Sequence, residues 1–324
     1  MPIQIECSGP GDPSVLKAAE FTPKKVEKSE VLIKQQAIGV NFLDTLMRSG
    51  KVAVSKYPII LGLEAVGTIE ELGSEVDGFK LGQKVAYATA PIGAYRSHRV
   101  VDSRYIVAAP DEIDDRIIAA GFAKGLTAHY LTTRVFVVRP GIGVLVHSAG
   151  SGVGQMLASW CNKVDAFVIG TVGDDSKKEA ALEAGCQYVF NYKTENWVEA
   201  VKDITKGYGL NVVYDSLGEA VFNKSLDCLM KIGVMVNYGS SSGSVNSVDL
   251  NLVRKKSLFI TCPSLFDYKA NRMELVLSAH QLFKGMTEGF ITPKVAATFP
   301  LKEAHEAHRL IELGQHSGSV ILIP

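Results

Sequence analysis

A glycine-rich turn set between an apolar run and a helical segment constrains this chain more than any other feature. Gly143-Val144-Leu145-Val146-His147 is followed by Ser148-Ala149-Gly150-Ser151-Gly152-Val153-Gly154, and a helical pattern then runs from Val153 to Asn162. Small residues let a backbone turn tightly and approach a pyrophosphate, whose charge the free N–H groups and positive end of the helix then hold. The strict G-x-G-x-x-G spacing is broken here: Gly150 and Gly152 fit, but Gln155 stands where the third glycine belongs. An ordinary tight strand-to-helix turn is the alternative. The downstream pattern favours the dinucleotide. Ala166 to Gly170, Tyr188 to Phe190, Val212 to Asp215 and Val234 to Tyr238 read as further strands, with helical stretches such as Lys177 to Ala184 between them. Strands separated by helices of that length are βαβ units of a parallel sheet.

The second strand bears on the choice of dinucleotide. An NAD site usually carries an acid at its end for the ribose hydroxyls. Here it ends Gly170-Thr171-Val172-Gly173, and Asp174, Asp175, Lys177 and Lys178 come next. A lysine reaching back can hold the 2′-phosphate of NADP. The alternative is a solvated helix start, where acids suit the dipole.

The stretch before residue 125 has a different rhythm. Val31 to Ile38, Ala65 to Leu72, Lys84 to Tyr87 and Ala94 to Val101 read as strands, with Gly73, Gly78 and Gly82 marking turns. From about Ile291 a helix, Lys302 to Leu313, and a last strand, Ser319 to Ile323, resemble that first stretch. The expected organisation is a β-rich domain closed by the C-terminal segment, with the strand–helix domain inserted.

Several function classes are disfavoured. Lys+Arg and Asp+Glu are both 34, so the net charge is zero, whereas a general nucleic-acid binder needs excess positive charge. No apolar run approaches the ~20 residues of a membrane helix. The N-terminus lacks the basic and apolar regions of a secretory signal. Five widely spaced cysteines, Cys7, Cys161, Cys186, Cys228 and Cys262, read as reduced thiols, and a cytoplasmic location is expected. His305 and His308 sit three apart on a helix and could pinch a metal. Flanking Glu303, Glu306 and Arg309 make a solvated face the expected reading. No C-x-x-C occurs, and no G-x-S-x-G elbow makes Ser148 or Ser151 a hydrolase nucleophile.

The order and spacing of these motifs resemble a family. They are Gly39-Val40-Asn41-Phe42-Leu43-Asp44, Gly62 to Gly67, Lys124 to Ala128, His147 to Gly154, Gly170 to Gly173, Asn191-Tyr192, Val213 to Gly218, Tyr238 to Gly243 and the ending Val320 to Pro324. Over essentially its whole length the chain is similar to the zinc-free, zeta-crystallin-like quinone oxidoreductases of the medium-chain dehydrogenase/reductase superfamily. The resemblance implies an α/β protein with a GroES-like catalytic domain over 1–124 and 291–324 and a Rossmann domain over 125–290. It implies NADPH in a cleft, a quinone substrate, no metal, and a homodimer paired through Rossmann edge strands, here Ser257 to Thr261. Zinc-dependent members carry a cysteine near Asn41 and a histidine where Leu63 stands.

The resemblance also implies residue roles. Gly152 and Val153 lie against the pyrophosphate, and Gly173, Lys177 and Tyr192 surround the 2′-phosphate. Tyr130 lies on the phosphate or ribose side, and Leu217 borders the adenine or ribose. Tyr238, Gly239, Ser240, Ser264 and Leu265 line the nicotinamide side, and Ser317 closes the site. Asn41, Phe42 and Asp44 form the wall from the catalytic domain, with Asn41, Asp44 and Tyr238 the catalytic candidates. Phe42, Tyr238 and Leu265 as plain core, and Asp44 as a helix cap, are the alternatives. Leu46 and Cys262 replace a tyrosine and an arginine common in bacterial members. That loss allows a more apolar pocket, and a packed, unreactive Cys262 is expected. Reduction of an activated C=C bond, as in enals and enones, is the alternative activity, and a non-enzymatic NADPH-binding role the alternative class.

Overall fold

The fold is that of a computed structural model, which describes residues 1–88 and 91–324. The chain divides into two compact units, Met1–Lys124 with Lys269–Pro324, and Gly125–Tyr268.

The first unit is organised on one long strand, Glu30–Val40. Val31, Ile33, Ala37 and Ile38 along it are wholly buried, each of the valine and isoleucine side chains contributing up to about 1.5–3 kcal/mol by leaving water. The strand pairs antiparallel with Glu64–Leu72, His98–Asp102 and the C-terminal Ser319–Ile323. The sheet runs Val295–Pro300, Ser319–Ile323, Glu30–Val40, Glu64–Leu72, Lys84–Ala88, Val107–Ala108. A three-stranded sheet of Leu16–Glu20, Ile3–Cys7 and Ile59–Ile60 completes the unit's strands among the described residues.

The structure corrects two expectations in this unit. The strand foreseen from Ala94 to Val101 forms only over His98–Asp102. Upstream, the buried Gln35 amide donates to the carbonyls of Ala94 and Arg96, so those acceptors are taken by a side chain. The first unit also resumes at Lys269, not at Ile291. Helix Arg272–Thr287 is what moves the boundary. Its Phe283 stacks on Phe122 at 5.5 Å, and Arg272 donates to the carbonyls of Arg104 and Ile106.

The second unit is a six-stranded sheet in which every pairing is parallel. Its order is Tyr188–Asn191, Phe167–Val172, Gly143–Val146, Leu210–Asp215, Leu229–Asn237, Phe259–Thr261. Numbered within the unit this is 3-2-1-4-5-6, the dinucleotide-binding arrangement, with its switch point between Gly143–Val146 and Leu210–Asp215. Leu145, Ile169, Val213 and Met235 are fully buried, as central strands of a parallel sheet covered on both faces require. Phe259–Thr261 is one sheet edge. Ser257, expected to begin that strand, instead caps helix Leu250–Lys256 in the left-handed conformation, at φ 52°.

Candidate functional site

At the carboxyl end of Gly143–Val146 the chain enters the glycine turn. Ser148 adopts a positive φ of 55°, and its carbonyl accepts from Ser151 N at 2.8 Å. Helix Gly152–Lys163 starts there, capped by Ser151 Oγ, which accepts from Gly154 N. A Cβ on Gly154 would lie 2.1 Å from Ser148 O, so no side chain fits. Gln155, in the place of the third glycine, is buried and donates its amide to Gly150 O at 2.8 Å. The broken motif is thus closed by a side-chain bond across the turn. Gly152 and Val153 open the helix, where N–H groups lack intrahelical acceptors.

His147, one residue before the turn, is fully buried, and its proton positions follow from its neighbours. Ser225 Oγ donates to Val221 O, so it must accept from His147 Nε2–H at 2.8 Å. Nδ1 then accepts from Thr171 Oγ1 at 2.7 Å. Both nitrogens of a neutral imidazole are satisfied, and burial pushes its pKa down to about 3.

A cationic cluster sits beside the turn. A Cβ on Gly150 would lie 2.7 Å from Lys177 Cβ, and one on Gly173 would lie 3.0 Å from Tyr192 Oη. Lys177 thus packs on Gly150, and Tyr192 on Gly173. Lys193 joins them, its Nζ 5.9 Å from the Tyr192 ring centroid. Burial lowers the Lys177 pKa; Asp174 opposes that shift and Lys193 adds to it. Sequence reasoning misses Lys193; its signal is only that it adjoins Tyr192 at the end of the neighbouring strand.

Further along the same rim lie Tyr238, Gly239 and Ser240, directly after strand Leu229–Asn237. Tyr238 Oη is buried beside Ser216 but makes no hydrogen bond of good geometry. Burial pushes this phenol above the usual tyrosine range, and the charge of Asp215 adds to the shift. Tyr130 is buried and stacks on Tyr268 with ring centroids 4.7 Å apart. Burial raises its pKa, and Tyr238 contributes. Ser264 and Leu265 are partly exposed at the start of helix Leu265–Tyr268. Leu217 lies just after strand Leu210–Asp215. It lies in the hydrophobic core, with its N–H held by Asp215 Oδ1 and its carbonyl by Ser242 Oγ. Cys262 is exposed, not packed, because it follows an edge strand.

In the first unit, Asn41 precedes helix Phe42–Arg48. Its Nδ2 donates to Glu64 Oε1 at 2.9 Å. Glu64 is fully buried and also accepts from Ala123 N at 2.6 Å and Lys124 Nζ at 3.2 Å. Phe42 is 38% exposed, which removes the plain-core alternative for it. Asp44 is buried and accepts from Asn41 N at 2.8 Å, Gly62 N at 3.1 Å and Tyr95 Oη at 3.3 Å. Burial pushes its pKa up to about 6, and Glu64 adds to the rise against those three bonds. Asp44 is thus a buried cap of helix Phe42–Arg48, the alternative role left open for it. Ser317 lies in the segment before Ser319–Ile323. His308, expected on a solvated face, is wholly buried with Nε2 2.9 Å from Tyr95 Oη, while His305 is half-exposed beside Glu306. Among the described residues, no group of three or more His, Cys, Asp or Glu side chains could hold a metal ion.

Comparison with known proteins bears on what this rim does. Residues 27–138 match the family described as "Alcohol dehydrogenase GroES-like domain", and residues 152–274 match "Zinc-binding dehydrogenase". The chain is 40% identical to quinone oxidoreductase 1 of Escherichia coli, over 100% of both chains. The chain belongs to the quinone oxidoreductase family. Its superfamily is the medium-chain dehydrogenases/reductases. A crystal structure of Escherichia coli quinone oxidoreductase complexed with NADPH superposes at a TM-score of 0.96, with 40% identity over 99% of this chain and 100% of that one. The chain is also 39% identical to a 2-haloacrylate reductase of Burkholderia, over 91% of each.

Zinc, which the second family description carries, does not fit this member. Leu63 is a buried apolar side chain, and the Asn41 amide is committed to Glu64. A dinucleotide does fit. The turn leaves no room for a side chain at Gly150 or Gly154, the helix start offers N–H groups, and lysines lie beside it.

Proposed function

We propose that this chain is an NADPH-dependent quinone oxidoreductase that works without a metal. The observation that carries the reading is the cluster of Gly173, Lys177, Tyr192 and Lys193 beside the glycine turn. Two lysines within reach of one glycine-lined strand end suit a dianionic 2′-phosphate, and charge-assisted bonds are the strong ones. Full-length identity to quinone oxidoreductases, one of them solved with NADPH, supports the substrate class.

NADPH supplies a hydride at its nicotinamide ring. The chain's own residues bind and orient. Gly152 and Val153 hold the pyrophosphate, and Tyr130, Leu217, Gly239, Ser240, Ser264 and Leu265 line the remaining cofactor site. Asn41, Phe42 and Ser317 are the first unit's proposed contributions. Asp44 fixes the Asn41 backbone. The Tyr238 hydroxyl is the proton-bearing donor for the acceptor oxygen that gains charge. Its raised pKa keeps it protonated through the neutral range, so it donates a hydrogen bond and does not act as a base. Tyr238→Phe is expected to lower kcat by roughly tenfold, the worth of one hydrogen bond, and to leave the NADPH Kd within about twofold. Steady-state kinetics with a quinone, beside fluorescence titration with NADPH, check both.

Reduction of an activated C=C bond is the second reading, favoured by the likeness to a 2-haloacrylate reductase. Initial rates with NADPH and either a benzoquinone or 2-chloroacrylate separate the two. Turnover of the quinone alone supports the first reading, and turnover of the acrylate alone replaces it with the second. We further propose a cytoplasmic homodimer paired through Phe259–Thr261, where Phe259 is 60% exposed on the sheet edge.

A further inference from the structure

Asp215 is fully buried, and the groups that bond its carboxylate are all neutral N–H donors. Oδ1 accepts from Leu217 N at 2.8 Å and Gly218 N at 3.0 Å. Oδ2 accepts from Asn237 Nδ2 at 2.9 Å. Asn237 ends the neighbouring strand, and its Nδ2 also donates to Gly239 O at 3.0 Å. The Asp215 carbonyl takes Tyr238 N at 2.8 Å. The two loops leaving these strands are joined further on: Ser241 Oγ donates to Ser216 O at 3.0 Å, and Ser242 Oγ to Leu217 O at 2.7 Å. Gly218 and Gly243 close the contact as a bridge with no room between them, since a Cβ on Gly218 would lie 2.4 Å from Gly243 O.

A buried carboxylate without a cation is costly, and an apolar pair would serve stability as well. Its place explains its presence. It stands at the carboxyl ends of adjacent strands, the rim where parallel sheets of this order bind ligands. Its two oxygens and the Asn237 amide set the separation and tilt of the loop bearing Tyr238, Gly239 and Ser240 relative to the loop after Asp215.

We infer that Asp215 and Asn237 are positioning residues for NADPH, a lash that presets the Tyr238–Ser240 loop for the nicotinamide half of the cofactor. The inference rests on the NADPH reading above. The lash acts at the strand ends Asp215 and Asn237, whereas the 2′-phosphate cluster sits at the ends of Phe167–Val172 and Tyr188–Asn191, on the other side of Gly143–Val146. The two halves of the cofactor can therefore be tested apart.

The experiment measures the Kd of full-length protein for NADPH and for 2′-AMP, with wild type, Asn237→Ala and Asp215→Asn. Asn237→Ala leaves the carboxylate its two backbone donors and removes only the lash. It is expected to weaken NADPH roughly tenfold and 2′-AMP less than about twofold. Asp215→Asn sets two amide donors against each other and is expected to weaken NADPH further, again sparing 2′-AMP. Should Asp215→Asn fail to fold, Asn237→Ala decides. Equal losses for both ligands would mark a structural role only and overturn the inference, as would unchanged NADPH affinity. A wild type that binds neither ligand would refute the cofactor reading itself, and the lash with it.

Discussion

Lys177→Glu is expected to weaken NADPH binding by roughly two orders of magnitude while leaving NADH binding within a few-fold of wild type. A hydrogen bond to a charged group contributes about 1.5–3 kcal/mol, and reversing the charge adds repulsion from the phosphate. About 3 kcal/mol corresponds to roughly a hundredfold in Kd. The effect is selective on the proposed reading, in which Lys177, packed on Gly150 and within electrostatic reach of Lys193, meets the 2′-phosphate that NADH lacks. Titration of nicotinamide fluorescence with each cofactor checks it. Equal losses for NADPH and NADH would remove the 2′-phosphate from this cluster.

The second large effect is on acid stability. His147 and His308 are buried neutral, with burial pushing each pKa down to about 3; Arg48 adds to the shift of His308. An unfolded histidine titrates near 6.5. Between those values the unfolded chain binds a proton that the folded chain does not. Stability therefore falls as pH drops below about 6.5, by roughly 1.4 kcal/mol per pH unit per histidine. Asp44 works in the opposite sense. Its folded pKa of about 6 lies above the unfolded value, so acid favours the folded form between about 6 and 4. The expected net uptake on unfolding is about one proton between about pH 6 and 4, and it falls as the folded histidines begin to titrate near pH 3. Exposed, depressed carboxylates such as Asp12 and Asp174 add little against solvent screening. Urea unfolding across this range should show a loss of stability of roughly 1.4 kcal/mol per pH unit. Removing one imidazole, as in His308→Gln, should cut the slope by roughly 1.4 kcal/mol per pH unit near pH 5. An unchanged slope would mean that His308 is charged or solvated in the native protein.

Local chemistry is what the sequence made legible. The glycine turn and Lys177 lie within one βαβ unit, so spacing alone brings them together. Lys193 arrives at the same place from the end of the next strand, and only the parallel register of Tyr188–Asn191 on Phe167–Val172 reveals it. The Asp215–Asn237 bond is hidden for the same reason: it depends on two strands ending level. The charged neighbours of His308 mislead about its environment. Its signal is the stripe Ala304, Ala307, His308 and Ile311, which shares one helical face and is buried. Cys262 misleads because an apolar strand suggests packing on both sides, whereas an edge strand has a neighbour on one side only. The boundary at Lys269 escapes detection because helix Arg272–Thr287 reads like any helix of the alternating unit until Phe283 is seen against Phe122.

Metal-free, NADPH-selective quinone reduction is tested most directly by NADPH oxidation with purified protein dialysed against a strong chelator, a benzoquinone as acceptor and NADH run in parallel. The expected result is rapid loss of nicotinamide absorbance with NADPH, a kcat/KM at least about tenfold lower with NADH, and no change when the chelator is omitted. Oxidation that appears only when zinc is returned, or that proceeds equally well with NADH, would contradict it.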